Sequence, residues 1–230
     1  MASNMVHGSK KEFVYESLRE EILEGHLPPG QRVIIDDLAE RLGVSPIPVR
    51  EALQQLQHDG FVTIEPFVGA HVTEIHAGLI REVFALLEAS EIVSSQSACL
   101  VMSEKELAEL EALIRRMDGN VDDLEAWSDD NVRLHGMICE VAGMTLVASV
   151  MKQVLDHWKR LRRHYLEEVS GARVKHAQRE HWQMLAALRT RDPGVVADVI
   201  RQHNRLALDA YLDYLTKSGQ LVAPESYVEE

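Results

Sequence analysis

Ser45-Pro46-Ile47-Pro48-Val49-Arg50-Glu51-Ala52-Leu53 decides how the N-terminal third of this chain is read. Ser45 is a good helix N-cap, since its hydroxyl can accept from an orphan backbone N–H, and Pro46 suits the first helical turn. Arg50 then lies about one turn into the helix, near enough to its N-terminus to reach a phosphate or a base edge. Just upstream, Asp36-Asp37-Leu38-Ala39-Glu40-Arg41-Leu42 forms a short amphipathic segment that stops at Gly43. A short helix, a Gly-containing turn and a second capped helix make a helix-turn-helix, whose second helix enters a DNA groove.

The flanks extend this reading. Val14, Leu18, Ile22 and Leu23 recur at helical spacing, and Pro28-Pro29-Gly30 breaks that helix. The helix that starts at Pro46 runs to about Asp59, with Gly60 as its stop. Phe61-Val62-Thr63-Ile64 and Ala70-His71-Val72-Thr73 are β-prone and separated by a turn containing Pro66 and Gly69, which predicts a two-stranded wing. From about Gly78 the pattern becomes helical throughout. Helices are expected over 79–101, from Ser103 (with Glu106 completing a capping box), over 124–142, over 145–169, over 176–190 and over 195–217. The fold class is therefore mainly α: an N-terminal winged helix-turn-helix over 11–75 and an antiparallel all-α bundle over 78–218. Segments 1–10 and 219–230 are expected to be flexible.

Charge sits awkwardly with DNA. The 230-residue chain carries a formal net charge of −13, and residues 1–75 alone hold six Lys+Arg against twelve Asp+Glu. A nucleic-acid surface is normally basic, so contact must rely on local field from Arg50 and the helix dipole. No apolar run approaches the ~20 residues that span a bilayer, no signal peptide opens the chain, and Cys99 and Cys139 lie far apart. A cytoplasmic protein without a membrane partner is expected.

Taken together the motifs resemble the GntR superfamily of transcription regulators, FadR type, with the C-terminal helical domain called FCD. The match rests on Leu27-Pro28-Pro29-Gly30, Leu38-Ala39-Glu40-Arg41-Leu42-Gly43-Val44-Ser45, Pro48-Val49-Arg50-Glu51-Ala52-Leu53, Gly60-Phe61-Val62 and Gly69-Ala70-His71-Val72-Thr73. The resemblance implies a homodimer on a pseudo-palindromic double-stranded operator, repression, and control by a small-molecule effector, an organic acid. DNA contacts are assigned on that basis to Arg32, Ser45, Pro46, Ile47, Pro48, Arg50, Gly69 and His71. Pro46 stands where many relatives carry a base-reading arginine and Ile47 where Thr is common, which leaves Arg50 the main side-chain contact, while Ile47 can touch a thymine methyl. The segment Phe67–His71 has no Lys or Arg, so a light grip on the minor groove is expected. The alternative for Arg50 is an ion pair with a neighbouring carboxylate.

In the FCD family a carboxylate four residues before the first of three histidines completes a metal site. The matching positions are Asn131, His135, His181 and His203. Residues i and i+4 share a helix face, and imidazole suits transition metals, with zinc or nickel expected first. Asn131 replaces the family's usual Asp, and Asp130 lies about 100° away round the helix. Three neutral histidines and a neutral amide would leave a divalent ion its full charge, which predicts weak retention and a strong pull on an anionic effector. Phe84 stands where relatives often have an effector-binding arginine, so Phe84 and Arg133 are the effector candidates, with plain core packing the alternative for Phe84. His157, His164 and His176 are expected at the surface. Two other functions fit less well: a metalloenzyme on the bundle, with Glu140 or Glu180 as base, and a constitutive DNA-binding protein without effector.

Overall fold

A computed structural model describes residues 9–220. They form two compact units that divide between Ile75 and His76. The first holds helix α1 (Lys10–Leu23), strand β1 (Arg32–Val33), helices α2 (Ile35–Leu42) and α3 (Pro46–His58), and strands β2 (Val62–Glu65) and β3 (Gly69–Val72). The second holds α4 (Ala77–Val101), α5 (Glu104–Gly119), α6 (Leu124–Val141), α7 (Thr145–His164), a π-helical turn (Leu166–Ser170), α8 (Gly171–Arg189) and α9 (Pro193–Lys217). Among the described residues no helix is long and apolar enough to cross a membrane.

The first unit has its own core. Val14, Leu18 and Ile22 of α1 pack with Val49, Leu53 and Leu56 of α3 and with Phe61, Val62 and Val72 of the sheet. Those α1 and α3 positions recur every three or four residues, which places them on one helix face. Gly43 ends α2 in the left-handed conformation, with φ 65°, where a side chain would be strained. The wing has three strands rather than two, antiparallel in the order β1-β3-β2. Arg32 lies opposite His71, and His71 opposite Thr63, so these three share one face of the sheet. Val33, Val62, Ala70 and Val72 fill the other.

In the second unit Leu110, Ile114 and Met117 of α5, Leu134 and Ile138 of α6, Leu185 and Leu188 of α8 and Ile200 of α9 share one core. The capping box at Ser103 forms as expected: its hydroxyl accepts from the Glu106 amide, while the Glu106 carboxylate accepts from the Ser103 amide. Helix α7 ends at His164, five residues short of the expected 169, and Tyr165 interrupts the helix with φ −110° and ψ 34°. A π-turn over Leu166–Ser170 leads straight into α8 at Gly171, five residues before the expected start. Of the ends expected to be flexible, Lys10 is helical and Ser9 caps α1; residues 1–8 and 221–230 lie outside the described residues.

Ser45 occupies the N-cap of α3, but its hydroxyl makes no capping bond. One of the two usual donors is missing, three positions on. A cap hydroxyl accepts from the N2 or N3 amide, and N3 is Pro48, which has no N–H. Among the described residues the Ser45 hydroxyl therefore caps no helix amide. Replacing Ser103 with Ala should cost the bundle about 1 kcal/mol, whereas the same change at Ser45 should cost the first unit only a few tenths. Chemical denaturation of the two full-length variants measures both.

Candidate functional site

Three helices bring His135 (α6), His181 (α8) and His203 (α9) together. Their ring centroids lie 5.7, 5.5 and 5.4 Å apart, and one nitrogen of each falls within 4.8 Å of the others. All three are buried, His181 completely. Asn131, one turn before His135, is buried and borders the same cavity.

The hydrogen bonds decide which nitrogens face inward. His135 Nδ1 lies 2.8 Å from Glu91 Oε1 on α4, and His203 Nδ1 lies 2.6 Å from Glu180 Oε2. Each carboxylate accepts, so each Nδ1 carries the proton. For His181 the argument runs through Gln178. Its amide nitrogen donates to Ile114 O at 2.9 Å and Asp118 Oδ1 at 2.7 Å, which fixes its oxygen as the acceptor for Trp127 Nε1 at 3.0 Å. That oxygen also faces His181 Nδ1 at 3.4 Å, so this Nδ1 too is the donor. Every ring then presents Nε2 to the centre. His181 Nε2 is buried without a hydrogen-bond partner in the structure, an arrangement that costs free energy unless something else takes the lone pair.

The protonation states agree with metal binding, which needs the neutral imidazole. Burial, reinforced by His203 and His135, holds His181 well below the usual histidine range. Burial also lowers His203, against the opposing pull of Glu180. For Glu180, burial pushes the pKa up, but His203 and Arg173 outweigh it and bring it to about 2. Glu91 follows the same pattern: burial raises it, and His135, His203 and Asn204 bring it below the ordinary carboxylate value. Both carboxylates are therefore ionised, and the donor set fits a transition-metal ion. When bound, such an ion would supply a Lewis-acidic point able to take an anionic oxygen.

This geometry revises the charge argument. The ligands are neutral, but two carboxylates stand directly behind them and offset the ion's charge, so an uncompensated divalent charge does not follow from Asn131. Sequence reasoning missed Glu91, although an acid among Phe84, Leu87, Ser94 and Ala98 on the buried face of α4 was a usable signal. Glu180, considered as a catalytic base, is instead held by both nitrogens of Arg173, at 3.1 and 2.7 Å, and orients His203. Glu140 is exposed. Asp130 is unavailable as a ligand, because it forms a two-point ion pair with Arg116 of α5.

Phe84 is buried, borders the histidine cavity, and has its ring 5.5 Å from that of Tyr211. Arg133 is exposed and lines a different, open cleft beside Glu106 and Lys152. The cations on the wall of the histidine cavity are Arg162 and Arg173. His176 and His164 are exposed and His157 half-buried.

At the other unit Ile47 is 65% exposed, and Ser45 and Arg50 are exposed beside it on α3. Among the described residues Arg50 has no ion pair, so the alternative of a neighbouring carboxylate is not realised. Pro46 is half-buried. Pro48 is buried and packs inward, which removes it from the contact set. The wing carries more charge than its own sequence suggested. Strand β1 sets the Arg32 guanidinium over Gly69, 3.7 Å from where a Cβ would stand, with His71 alongside in the sheet.

Residues 10–72 match the family described as bacterial regulatory proteins, gntR family, and residues 82–206 match the FCD domain. The chain belongs to the GntR regulators that carry an FCD domain. It is 26% identical to the transcriptional regulator McbR of Escherichia coli K12 over 216 residues, covering 90% of this chain and 96% of McbR. The Escherichia coli K12 repressor RspR is 23% identical over 192 residues, 83% of each chain. The solved structure of E. coli McbR/YncC has the same fold, with a TM-score of 0.74 at 22% identity over 90% of this chain and all of that one. The protein is thus a DNA-binding transcriptional regulator whose C-terminal domain holds a buried three-histidine cluster able to coordinate a metal.

The carboxylates behind the ligands make a direct prediction. Glu91→Gln and Glu180→Gln should each lower zinc affinity by about 10–100-fold while leaving the helical content unchanged. Competition with a chromogenic chelator measures the first and circular dichroism the second.

Proposed function

We propose that this chain is a FadR-type repressor that binds a pseudo-palindromic operator as a homodimer and is released from it by a small carboxylate that docks at a metal ion held by His135, His181, His203 and Asn131. The observation that carries the effector half is the bare, buried Nε2 of His181 at the meeting point of three oriented imidazoles. Zinc or nickel suits that donor set. The name of RspR as a repressor supports the sign of regulation.

On the DNA side, α3 is the element that would enter the major groove. Arg50 supplies the cation, Ile47 an apolar contact and the Ser45 hydroxyl a phosphate or base partner; Pro46 stands at the first turn beside them. Pro46 and Pro48 remove two of the four orphan amides at the helix start, so the dipole end offers fewer donors to phosphate than usual. Arg32, Gly69 and His71 would meet the minor groove. Few phosphate contacts predict a shallow salt dependence of binding, and two-fold symmetry would supply affinity by engaging two half-sites. For release, the acid must favour the operator-free state; couplings of this kind are worth about 1–3 kcal/mol, or 5–150-fold in operator affinity.

Arg50→Ala should abolish operator binding in a mobility-shift titration while the melting temperature stays that of the parent. Removing the metal with a chelator should leave operator binding in place but make it insensitive to the acid. Release by the acid from metal-free protein would overturn the metal-docked effector.

A further inference from the structure

We propose that Phe67, at the tip of the wing, is an apolar wedge that enters the minor groove, pries apart one base step of the operator and bends the duplex. This rests on the reading that the wing meets the minor groove. Two features coincide at Phe67, and each is unfavourable in the free protein. Its side chain is fully exposed, and its backbone lies in the left-handed region, with φ 65°. Among the described residues Arg191 is the only other non-glycine with a positive φ. For a bulky side chain that conformation is an outlier.

The turn that joins β2 to β3 is the source of the strain. The Val68 amide donates to Glu65 O at 3.3 Å, which closes a turn over Glu65-Pro66-Phe67-Val68. Pro66 takes the second position, which its fixed φ suits, and a positive φ at the third defines a type II turn. That third position ordinarily holds Gly or Asn, because a Cβ crowds the left-handed conformation. Packing does not repay the cost. The core of the unit takes in Ile64 and Ala70 on either side of the turn but neither Phe67 nor Val68. Strain held on an exposed ring, outside the core, points to a partner that uses the ring.

Duplex DNA is the partner that fits. Residues 65–69 hold no Lys or Arg, and Glu65 is an acid, so the tip has no charge with which to hold a phosphate. Immediately behind it the Arg32 guanidinium lies over Gly69, and Thr63 and His71 share the sheet face with Arg32. A cation at the shoulder and an apolar residue at the tip is the pairing with which minor-groove proteins track the groove and unstack a step. Between bases the ring gains the stacking and apolar burial that it lacks in water. Unstacking costs least at pyrimidine–purine steps, TA or CA/TG, so a step of that class is expected opposite the wing. Stacking releases no counterions, and it therefore adds affinity without steepening the salt dependence.

The test uses the full-length protein, its Phe67→Gly and Phe67→Leu variants, and a duplex that the parent selects from a random-sequence pool. Glycine removes the ring and suits the left-handed turn, whereas leucine keeps an apolar wedge. Energy transfer between the labelled duplex ends should show that Phe67→Gly bends the DNA less than the parent does, by at least about 20°. The same variant should bind about 10-fold more weakly, while Phe67→Leu stays close to the parent in both. The thermal midpoint of Phe67→Gly should equal or exceed that of the parent, because the strain is gone. Equal bend and affinity in the two variants overturn the wedge. A lowered midpoint in Phe67→Gly overturns it as well, by making the ring a structural part of the wing. Sedimentation that shows a dimer lost in Phe67→Gly assigns the ring to a second copy and has the same effect. Methylation of adenine N3 separates the wedge from the minor-groove reading. Protection by the parent with an unchanged bend in Phe67→Gly overturns the wedge alone, whereas adenines that the parent leaves unprotected overturn the minor-groove reading and the wedge with it.

Discussion

Burying three imidazoles inside a helical bundle is tolerable only because each Nδ1–H has an acceptor, and those three acceptors organise the C-terminal unit. Glu91 comes from α4, Gln178 and Glu180 from α8, and the rings they hold from α6, α8 and α9. The web then spreads outward. Asn204 donates to Glu91 at 2.7 Å, Arg173 neutralises Glu180, and Trp127 and Asp118 lock Gln178. Five of the six long helices of the unit contribute. Removing one partner of such a network strands a buried charge, at a cost of several kcal/mol. An apolar core of the same volume would need no such network, so the web is better understood as a support for the three Nε2 atoms than as a source of stability.

The DNA-binding unit is built on the opposite principle. Its core is entirely apolar, and the exposed first turns of α3 carry a single cation. Arg50 stands alone on α3, and Arg32 reaches the wing only because β1 pairs with β3. The acidic balance of the unit would repel a duplex at long range, and only local features, the helix dipole and the exposed Arg50 and Arg32, oppose it.

Much of this was legible beforehand. The helix-turn-helix was readable because Gly43, Ser45 and Pro46 act locally, and the six bundle helices because apolar periodicity and caps are also local signals. The histidine triad could be named from its matching positions in a known family, but its chemistry could not. Which nitrogen points inward depends on Glu91, 44 positions before His135, and on an amide whose orientation is set by Ile114 and Asp118. The third strand was missed because Arg32-Val33 is too short to show a period. Arg133, the cation expected at the effector site, sits two residues after Asn131, which on a helix turns it about 200° away from the ligand face.

The placement of Glu91 has a consequence for how the two units can communicate. Helix α4 begins at Ala77, two residues past the end of the DNA-binding unit at Ile75. Glu91 lies fourteen residues into the chain beyond that start, about 21 Å along one straight helix. A helix transmits a shift along its axis with little loss, whereas a loop would absorb it. Phe84, Leu87 and Glu91 present the α4 side of the histidine cavity. Any ligand that prefers one position of Glu91 over another therefore prefers one position of α4, and differential affinity of that kind is what coupling requires. The histidine cluster is therefore tied, through Glu91, to the helix that follows the DNA-binding unit directly in sequence.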